Sequence, residues 1–322
     1  MKPLVSILIP TCNRPQVLRQ SLRSALEQTY PNTEIIICDN SDNDLTERVV
    51  QSSLAESRFP IKYIRHPENI GPIPNFNKCL VLSSGEYINF LMDDDLLHPR
   101  KIEMMIPYLL QDENVTLVSS RRQVIDNSGR KQSVRPEHNC FPSPDGIMAR
   151  VNGKQGIQAM LAKKSNLIGP PTAVLFRKHD LIAPFGTYHG KPAHNSVDVA
   201  AWFTLLEKKD FVFLTKPLSS FRKHRKQVSR TTLSRMARIC DWIDFTAAAR
   251  QHGLLQNPAD LQQVLLRFEA PVTQQFPVWN EKTNGKYEEE LEERIQTLIR
   301  LSKHHPSLDT LLKKWRKARR SL

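Results

Sequence analysis

Leu4-Val5-Ser6-Ile7-Leu8-Ile9-Pro10-Thr11-Cys12-Asn13-Arg14-Pro15 opens the chain with a short apolar run that stops abruptly at polar residues. A run this short, closed by turn-forming residues, reads as a strand buried on both faces. Pro15 suits the first turn of a helix, and Val17, Leu18, Ser21, Leu22, Ala25 and Leu26 then fall on one stripe. The same alternation repeats downstream. Ile35–Cys38 and Ile61–His66 read as further strands, Pro74–Leu82 as a helix ending near Gly85, and Tyr87–Met92 as a fourth strand. Pro99 opens a helix carrying Ile102, Met105, Ile106 and Leu109. Strands alternating with helices imply an α/β fold with a mostly parallel sheet covered on both faces. In such sheets ligands bind beyond the carboxyl ends of the strands. Chemistry is therefore expected in the turns after Ile9, Ile37, His66 and Met92.

The 322 residues carry 46 Lys and Arg against 33 Asp and Glu, a net charge of +13. Such a field favours polyanions: nucleic acid, an anionic membrane or a phosphate-bearing substrate. Only 7% of residues are aromatic and no nucleic-acid recognition motif appears, so no nucleic-acid partner is expected. With 11 glycines, the sequence contains neither G-x-G-x-x-G nor G-x-x-x-x-G-K-[ST], which argues against a dinucleotide enzyme and a P-loop NTPase. The five cysteines, Cys12, Cys38, Cys79, Cys140 and Cys240, are odd in number and widely spaced, which fits a reducing compartment. No stretch approaches the ~20 apolar residues of a membrane span, and the first apolar run is too short for a signal peptide. The expectation is a cytoplasmic protein.

Residues 115–230 are less regular, with a hairpin expected at Asn127-Ser128-Gly129. Beyond about residue 230 the composition becomes helical over Leu233–Arg250, Ala259–Glu269 and Lys286–Lys303. Two domains are expected, 1–230 and a helical C-terminal region 231–322. The latter ends in six cations among the eight residues Lys313–Arg320. A solvated helix tail and a site of contact with anionic lipid both fit that tail; lipid contact contributes ~1 kcal/mol per cation near the surface.

The most informative stretch chemically is Asn89-Phe90-Leu91-Met92-Asp93-Asp94-Asp95-Leu96-Leu97-His98-Pro99. Three carboxylates after an apolar strand need solvent, partners or a cation. Oxygen donors of this kind suit Mg²⁺ or Mn²⁺, with phosphate oxygens completing the shell. A solvated acidic turn capping the next helix fits equally well. The second strand ends in Asp39-Asn40-Ser41-Asp42-Asn43-Asp44, where a carboxylate has a place to accept from a nucleobase imide.

Taken in order, these segments resemble the family 2 glycosyltransferases, which have the GT-A fold. Val5-Ser6-Ile7-Leu8-Ile9-Pro10-Thr11-Cys12-Asn13-Arg14 is close to the family's V-S-I-I-I-P-T-Y-N-R, and Glu34-Ile35-Ile36-Ile37-Cys38-Asp39-Asn40-Ser41 to E-I-I-V-V-D-D-G-S. Asn69-Ile70-Gly71, Asn77 and Gly85-Glu86-Tyr87-Ile88 follow, then the block Ile168–Arg177. Asp198, Trp202 and Leu205 fall on E-D-x-x-x-W-x-x-L, and Phe221-Arg222-Lys223-His224 with Val228-Ser229 on Y-R-x-H-x-x-S-V-S. The resemblance covers roughly residues 4–230. It departs at Met92, where the acidic turn D-x-D-D usually starts, and at Val197, where Glu often precedes the catalytic Asp.

The resemblance implies inverting, non-processive transfer of a sugar from a nucleotide diphosphate donor, UDP-sugars being favoured, to a hydroxyl of a glycan, lipid-linked or protein acceptor. Bacterial surface polysaccharide or glycoconjugate synthesis is the implied setting, with peripheral contact at the inner membrane face through the basic tail. It implies Asp198 as the catalytic base. Pro10, Thr11, Asn13, Arg14, Asp39, Asn69, Asn77 and Asp93 are implied as donor-binding, and Asp94 and His224 as ligands of Mn²⁺ or Mg²⁺. Arg222 and Arg225 have two readings, charges near the diphosphate or surface residues. For Trp202, helix packing is preferred to sugar stacking. The rival readings are a catalytically silent GT-A scaffold, which Met92 favours, and a basic nucleic-acid-binding protein.

Overall fold

A computed structural model describes residues 2–54, 57–133, 141, 146–223, 231–275, 278, 288–301, 309–310, 313–314 and 316–317. The chain divides into two compact units. The first comprises Met1–Gly153, Asn166–Phe185 and Leu205–His224; the second Lys154–Ser165, Gly186–Thr204 and Arg225–Leu322. The chain therefore crosses between units several times, where the sequence suggested one boundary at residue 230.

The first unit is built on a mixed sheet. Its strands are β1 (Val5–Thr11), β2 (Thr33–Asp39), β3 (Ile61–Arg65), β4 (Tyr87–Phe90), β5 (Leu96–Leu97), β6 (Val115–Ile125), β7 (Met148–Val151), β8 (Val174–Arg177) and, last in the chain, Asp210–Arg222. β3, β2, β1 and β4 run parallel in that spatial order, followed by antiparallel β8, then β6 and the parallel strand Asp210–Arg222. β5 and β7 pair antiparallel with that last strand. The strand order reverses at β1, which is flanked by β2 and β4, and a crevice opens at such a switch point.

Burial explains why these segments are strands. Every residue of β1 and β4 is buried, as the near-continuous apolar runs require of parallel strands covered on both faces. Ile7, Ile9, Ile35 and Ile37 pack against Leu18 and Leu22 of α1 (Pro15–Leu26) and Val50 of α2 (Leu45–Leu54). Phe90 faces the other side and meets Phe76 of α3 (Pro72–Leu82), with ring centroids 5.0 Å apart. Phe185 completes that cluster at 5.3 Å from Phe76 and 4.7 Å from Phe90. Gly85 is required where the chain enters β4: a Cβ there would stand 2.5 Å from Ser6 Oγ and 2.7 Å from Ser6 N. α4 (Lys101–Gln111) covers Val115, Val118 and Leu175 through Ile102, Met105, Ile106 and Leu109. The turn expected at Asn127-Ser128-Gly129 is present, with Gly129 at φ +82° and Gly129 N donating to Asp126 O.

The second unit contains most of α5 (Gly153–Lys163) and α6 (Val197–Leu206). It also holds the hairpin β9 (Thr187–Tyr188) and β10 (Lys191–Pro192), and the helices α7 (Thr232–Gln251), α8 (Pro258–Leu266) and α9 (Glu288–Leu301). The long strand Asp210–Arg222 of the first unit is β11. Helices thus occur where the C-terminal sequence predicts them. α7 starts cleanly because Thr231 caps it, accepting from Ser234 N at 3.1 Å. Its buried face includes Ile239, Trp242, Ile243 and Phe245. Among the described residues no helix is long and apolar enough to cross a membrane.

Candidate active site

The carboxyl ends of β1, β2 and β4 bring the predicted polar residues together. β1 ends at Thr11, whose hydroxyl donates to Asp93 Oδ2 at 2.9 Å. Two residues on, Asn13 sits in the left-handed region at φ +55°, which turns its N–H onto Ser41 Oγ at 2.7 Å and starts α1. Arg14 precedes α1 but does not cap it; its guanidinium reaches the acidic turn, 3.1 Å from Asp93 Oδ1 and 3.4 Å from Asp94 Oδ2. Pro10 is buried within β1.

Asp39, at the end of β2, is fully buried. Its Oδ1 accepts from Ser41 N (2.8 Å) and Ser41 Oγ (2.5 Å), and its Oδ2 from the Tyr63 hydroxyl (2.8 Å). Burial, and then the hydrogen bond to Asp39, push the Tyr63 phenol far above its ordinary pKa. A carboxylate accepts about four hydrogen bonds, so Asp39 keeps capacity for one further donor. Beside it, Asn40 Oδ1 is a buried acceptor with no hydrogen-bond partner among the described residues.

The three consecutive aspartates have three environments. Asp93 is buried and burial raises its pKa to about 6, against the opposing charge of Arg14; neighbouring Asp94 raises it further, and hydrogen bonds from Thr11 and Arg14 lower it. Asp94 is the most open, with 16% of its side chain exposed. Asp95 is sealed inside: Oδ1 accepts from Arg222 N (3.0 Å) and Oδ2 from the Thr172 hydroxyl (2.7 Å). Burial, then the charge of Asp94, drive its pKa upward.

The rest of the predicted set is dispersed. Asn69 Oδ1 accepts from Gly71 N at 2.9 Å, and Asn69 Nδ2 lies 3.7 Å from Cys12 Sγ at the end of β1. Asn77 is engaged with backbone rather than aimed into the cluster at the strand ends. Its amide donates to Ile73 O and Phe185 O and accepts from Phe185 N (2.8 Å), so it fastens α3 to a distant loop. Arg222 lies neither at the surface nor open to a ligand: it is buried and donates to Asp94 O (2.7 Å), Asp126 O, Asn127 O and Gln20 Oε1. His224, with Arg225, Val228 and Ser229, lies outside the described residues. Asp198 stands in the first turn of α6, in the second unit, and accepts from Val199 N at 2.9 Å. Trp202, one turn further, is fully buried, as the packing reading requires.

Sequence reasoning missed the residues that shape the site. Asn75 is buried and ties three strand ends together: its Nδ2 donates to Cys38 O (3.0 Å) and Thr11 O (3.4 Å), and its Oδ1 meets His66 Nε2 (3.1 Å). Thr172 and Ser21 hold the acidic turn through Met92 N and through the carbonyls of Met92 and Asp95. The only signal for Thr172 was its place in the Ile168–Arg177 block.

Chemically, the arrangement offers one partly exposed carboxylate, a nearby guanidinium and buried acceptors at the switch point. Among the described residues no three His, Cys, Asp or Glu side chains form a metal cage. Mg²⁺ or Mn²⁺ can be held by one or two protein carboxylates with phosphate oxygens completing the shell, and Asp94, the most open of the three aspartates, would be the residue to hold it.

Residues 6–181, just over half the chain, match the family described as Glycosyl transferase family 2. The chain belongs to that family. It is 33% identical over 125 residues to the UDP-Glc:alpha-D-GlcNAc-diphosphoundecaprenol beta-1,3-glucosyltransferase WfgD of Escherichia coli, a stretch covering 39% of this chain and 48% of that enzyme. It thus spans about half of that relative's length. The fold resembles the crystal structure of S. aureus TarS 1–349 in complex with UDP-GlcNAc, with a TM-score of 0.66 and 16% identity over 99% of this chain and 91% of the other. It also resembles the mannosyltransferase PcManGT of Pyrobaculum calidifontis in complex with GDP-Man and Mn²⁺, with a TM-score of 0.53 and 16% identity over 98% and 87%. The sheet described above is the GT-A fold.

Proposed function

We propose that this glycosyltransferase moves a sugar with inversion from a nucleotide diphosphate donor, a UDP-sugar by preference, to an acceptor hydroxyl. The observation that carries this reading is the convergence of Thr11, Arg14, Asp39, Asp93 and Asp94 at one switch point of the sheet. Asp39 and Asn40 Oδ1 supply acceptors for a base imide N–H, and a uracil offers one. Arg14, about two-fifths exposed, supplies positive charge for the diphosphate once it leaves the carboxylates. A divalent cation at Asp94 would neutralise charge on the leaving diphosphate.

On its place in the motif, Asp198 is assigned the acceptor proton. The acceptor oxygen forms a bond to the anomeric carbon as its O–H proton passes to Asp198. The carbon–oxygen bond to the diphosphate breaks, and the nucleotide leaves with that electron pair. A glycan, a lipid-linked glycan and a protein all offer such a hydroxyl; the diphosphoundecaprenol-linked acceptor named for WfgD makes the lipid-linked class the first to test. A bacterial surface polysaccharide or glycoconjugate is the matching product.

Peripheral membrane contact belongs to the same proposal. Of the tail cations, Lys313, Lys314, Arg316 and Lys317 are exposed, but Lys314 pairs with Glu269, and Arg316 with Glu292 at 2.8 Å. Arg319 and Arg320 lie outside the described residues.

A thermal-shift titration with UDP, with and without Mn²⁺, tests the donor reading. UDP held at about 100 times its metal-free dissociation constant should stabilise the protein by about 2.7 kcal/mol, and by more once Mn²⁺ tightens its binding. Asp94→Ala should abolish the Mn²⁺-dependent increment while metal-free UDP binding persists. An unchanged increment in that variant removes Asp94 as the ligand.

A further inference from the structure

The C-terminal helices carry no motif, yet one of their side chains reaches the helix that bears Asp198. Asp241 on α7 is 1% exposed and collects the chain immediately before α6. Its Oδ1 accepts from His194 N (2.8 Å), and its Oδ2 from Asn195 N (2.8 Å) and Ser196 N (2.7 Å). His194 Nδ1 adds a contact at 3.4 Å. A second α7 residue, Arg238, donates from Nε to Asn195 Oδ1 at 3.3 Å. Three successive backbone N–H groups converging on one carboxylate form the kind of anion cradle that precedes helices. Here the anion is supplied by the chain itself. The body of α6 is held separately, by Phe203 packing against Phe245 (5.4 Å) and Trp242 (6.3 Å) of α7.

We propose that Asp241 is a positioning residue for Asp198: by gathering the three N–H groups of residues 194–196, it fixes where α6 begins and therefore where the Asp198 carboxylate is presented. The inference rests on the assignment of Asp198 as base. Asp198 stands two residues beyond Ser196, in the first turn, the part of a helix that frays most readily. A base displaced by about 1 Å can lose about 10²-fold in rate. This gives α7, and with it the region beyond the recognised motifs, a role in the reaction without contact to substrate.

The test uses the full chain, hydrolysis of UDP-glucose, UDP-galactose and UDP-N-acetylglucosamine with water as acceptor, calorimetric UDP binding, and amide hydrogen exchange over residues 193–199. Asp241→Asn keeps the side chain's size but replaces one acceptor oxygen with an N–H₂ group facing N–H donors. The expected result is faster exchange in that segment, turnover lowered about 10–100-fold, and UDP affinity within twofold of wild type. Arg238→Met, which leaves the buried carboxylate in place, should shift exchange and turnover in the same direction by less, and decides the matter if Asp241→Asn does not fold. Faster exchange with normal turnover in either variant overturns the inference, as does a parallel loss of UDP affinity. Asp198→Asn separates the two readings. If it is inactive while Asp241→Asn turns over normally, the positioning role fails and the base stands; if Asp198→Asn is itself fully active, or wild type hydrolyses none of the three donors, the base assignment fails and carries the inference with it.

Discussion

Lys101 is a fully buried lysine on α4, and replacing it with methionine should stabilise the protein at pH 7. Its Nζ lies 3.0 Å from Ala173 O and 3.0 Å from Met105 Sδ, and no carboxylate is paired with it among the described residues. Burial alone lowers its pKa from 10.5 to about 7. At about 1.4 kcal/mol per pKa unit, that displacement is worth about 4–5 kcal/mol. The sign follows from proton counting. Between about pH 7 and 10 the unfolded chain holds the proton and the folded chain does not, so stability rises with pH across that window and the cost is nearly complete at pH 7. Methionine removes the titration and fills a similar volume, but leaves Ala173 O without its donor, a loss of about 1–3 kcal/mol. Lys101→Met should therefore gain about 2 kcal/mol at pH 7 and be slightly less stable than wild type at pH 10, where little of the lysine's cost remains. Urea unfolding of both proteins at the two pH values measures this, since tyrosine and cysteine ionisations cancel in the difference. A variant less stable than wild type at pH 7, or a difference independent of pH, refutes the reasoning.

Thr172→Val keeps the shape of the side chain but deletes the hydroxyl shared by Asp95 Oδ2 and Met92 N. It should destabilise the protein by about 2–4 kcal/mol in urea unfolding and weaken UDP binding with it. Asp39→Asn should lower UDP affinity at least about tenfold by calorimetry, a loss of about 1.4 kcal/mol. In the same variant the Tyr63 absorbance titration should move down towards an ordinary phenol; a Tyr63 titration that stays put would deny Asp39 its part in the shift. Deleting residues 312–322 should reduce binding to anionic vesicles at low salt, an effect that vanishes as the Debye length falls from ~8 Å at physiological salt towards ~3 Å at 1 M.

The sheet was legible because parallel strands buried on both faces must be written as short apolar runs, and β1, β2 and β4 are. Their ends were legible for the same reason: Thr11, Asp39 and Asp93 are the first polar side chains after each run. The crossing between units was not legible. Residues 154–165 and 186–204 join the C-terminal helices through contacts such as Asp241 with residues 194–196, more than forty positions apart, and nothing in local periodicity marks such a partner. Asn77 shows the converse. A polar residue inside a recognised motif invites a ligand role, yet its amide is taken up by backbone at Ile73 and Phe185.

The acidic turn shows most clearly why a motif read letter by letter misleads. Met92 stands where the family usually begins its acidic run, and its side chain cannot bind a cation. Its backbone, however, is pinned on both sides. Met92 N donates to Thr172 Oγ1 at 3.1 Å, and Met92 O accepts from Asp95 N (3.0 Å) and Ser21 Oγ (3.3 Å). Asp95 in turn is held by Arg222 N and Thr172, and Arg222 Nε holds Asp94 O. The shape of the turn is thus set by backbone groups and by neighbours drawn from α1, β11 and the Ile168–Arg177 block, all indifferent to the side chain at position 92. What the methionine removes is one negative charge. The two buried aspartates do not replace it, because burial raises the pKa of both and their oxygens already face Thr11, Arg14, Thr172 and Arg222. The most open charge of the turn falls to Asp94, and a single partly exposed carboxylate opposed by Arg14 should hold a free cation weakly and a cation already carrying a diphosphate better. Met92→Asp tests that ordering directly: it should tighten Mn²⁺ binding in the absence of UDP. Mn²⁺ affinity that does not move would mean the first position of the run never faced the cation.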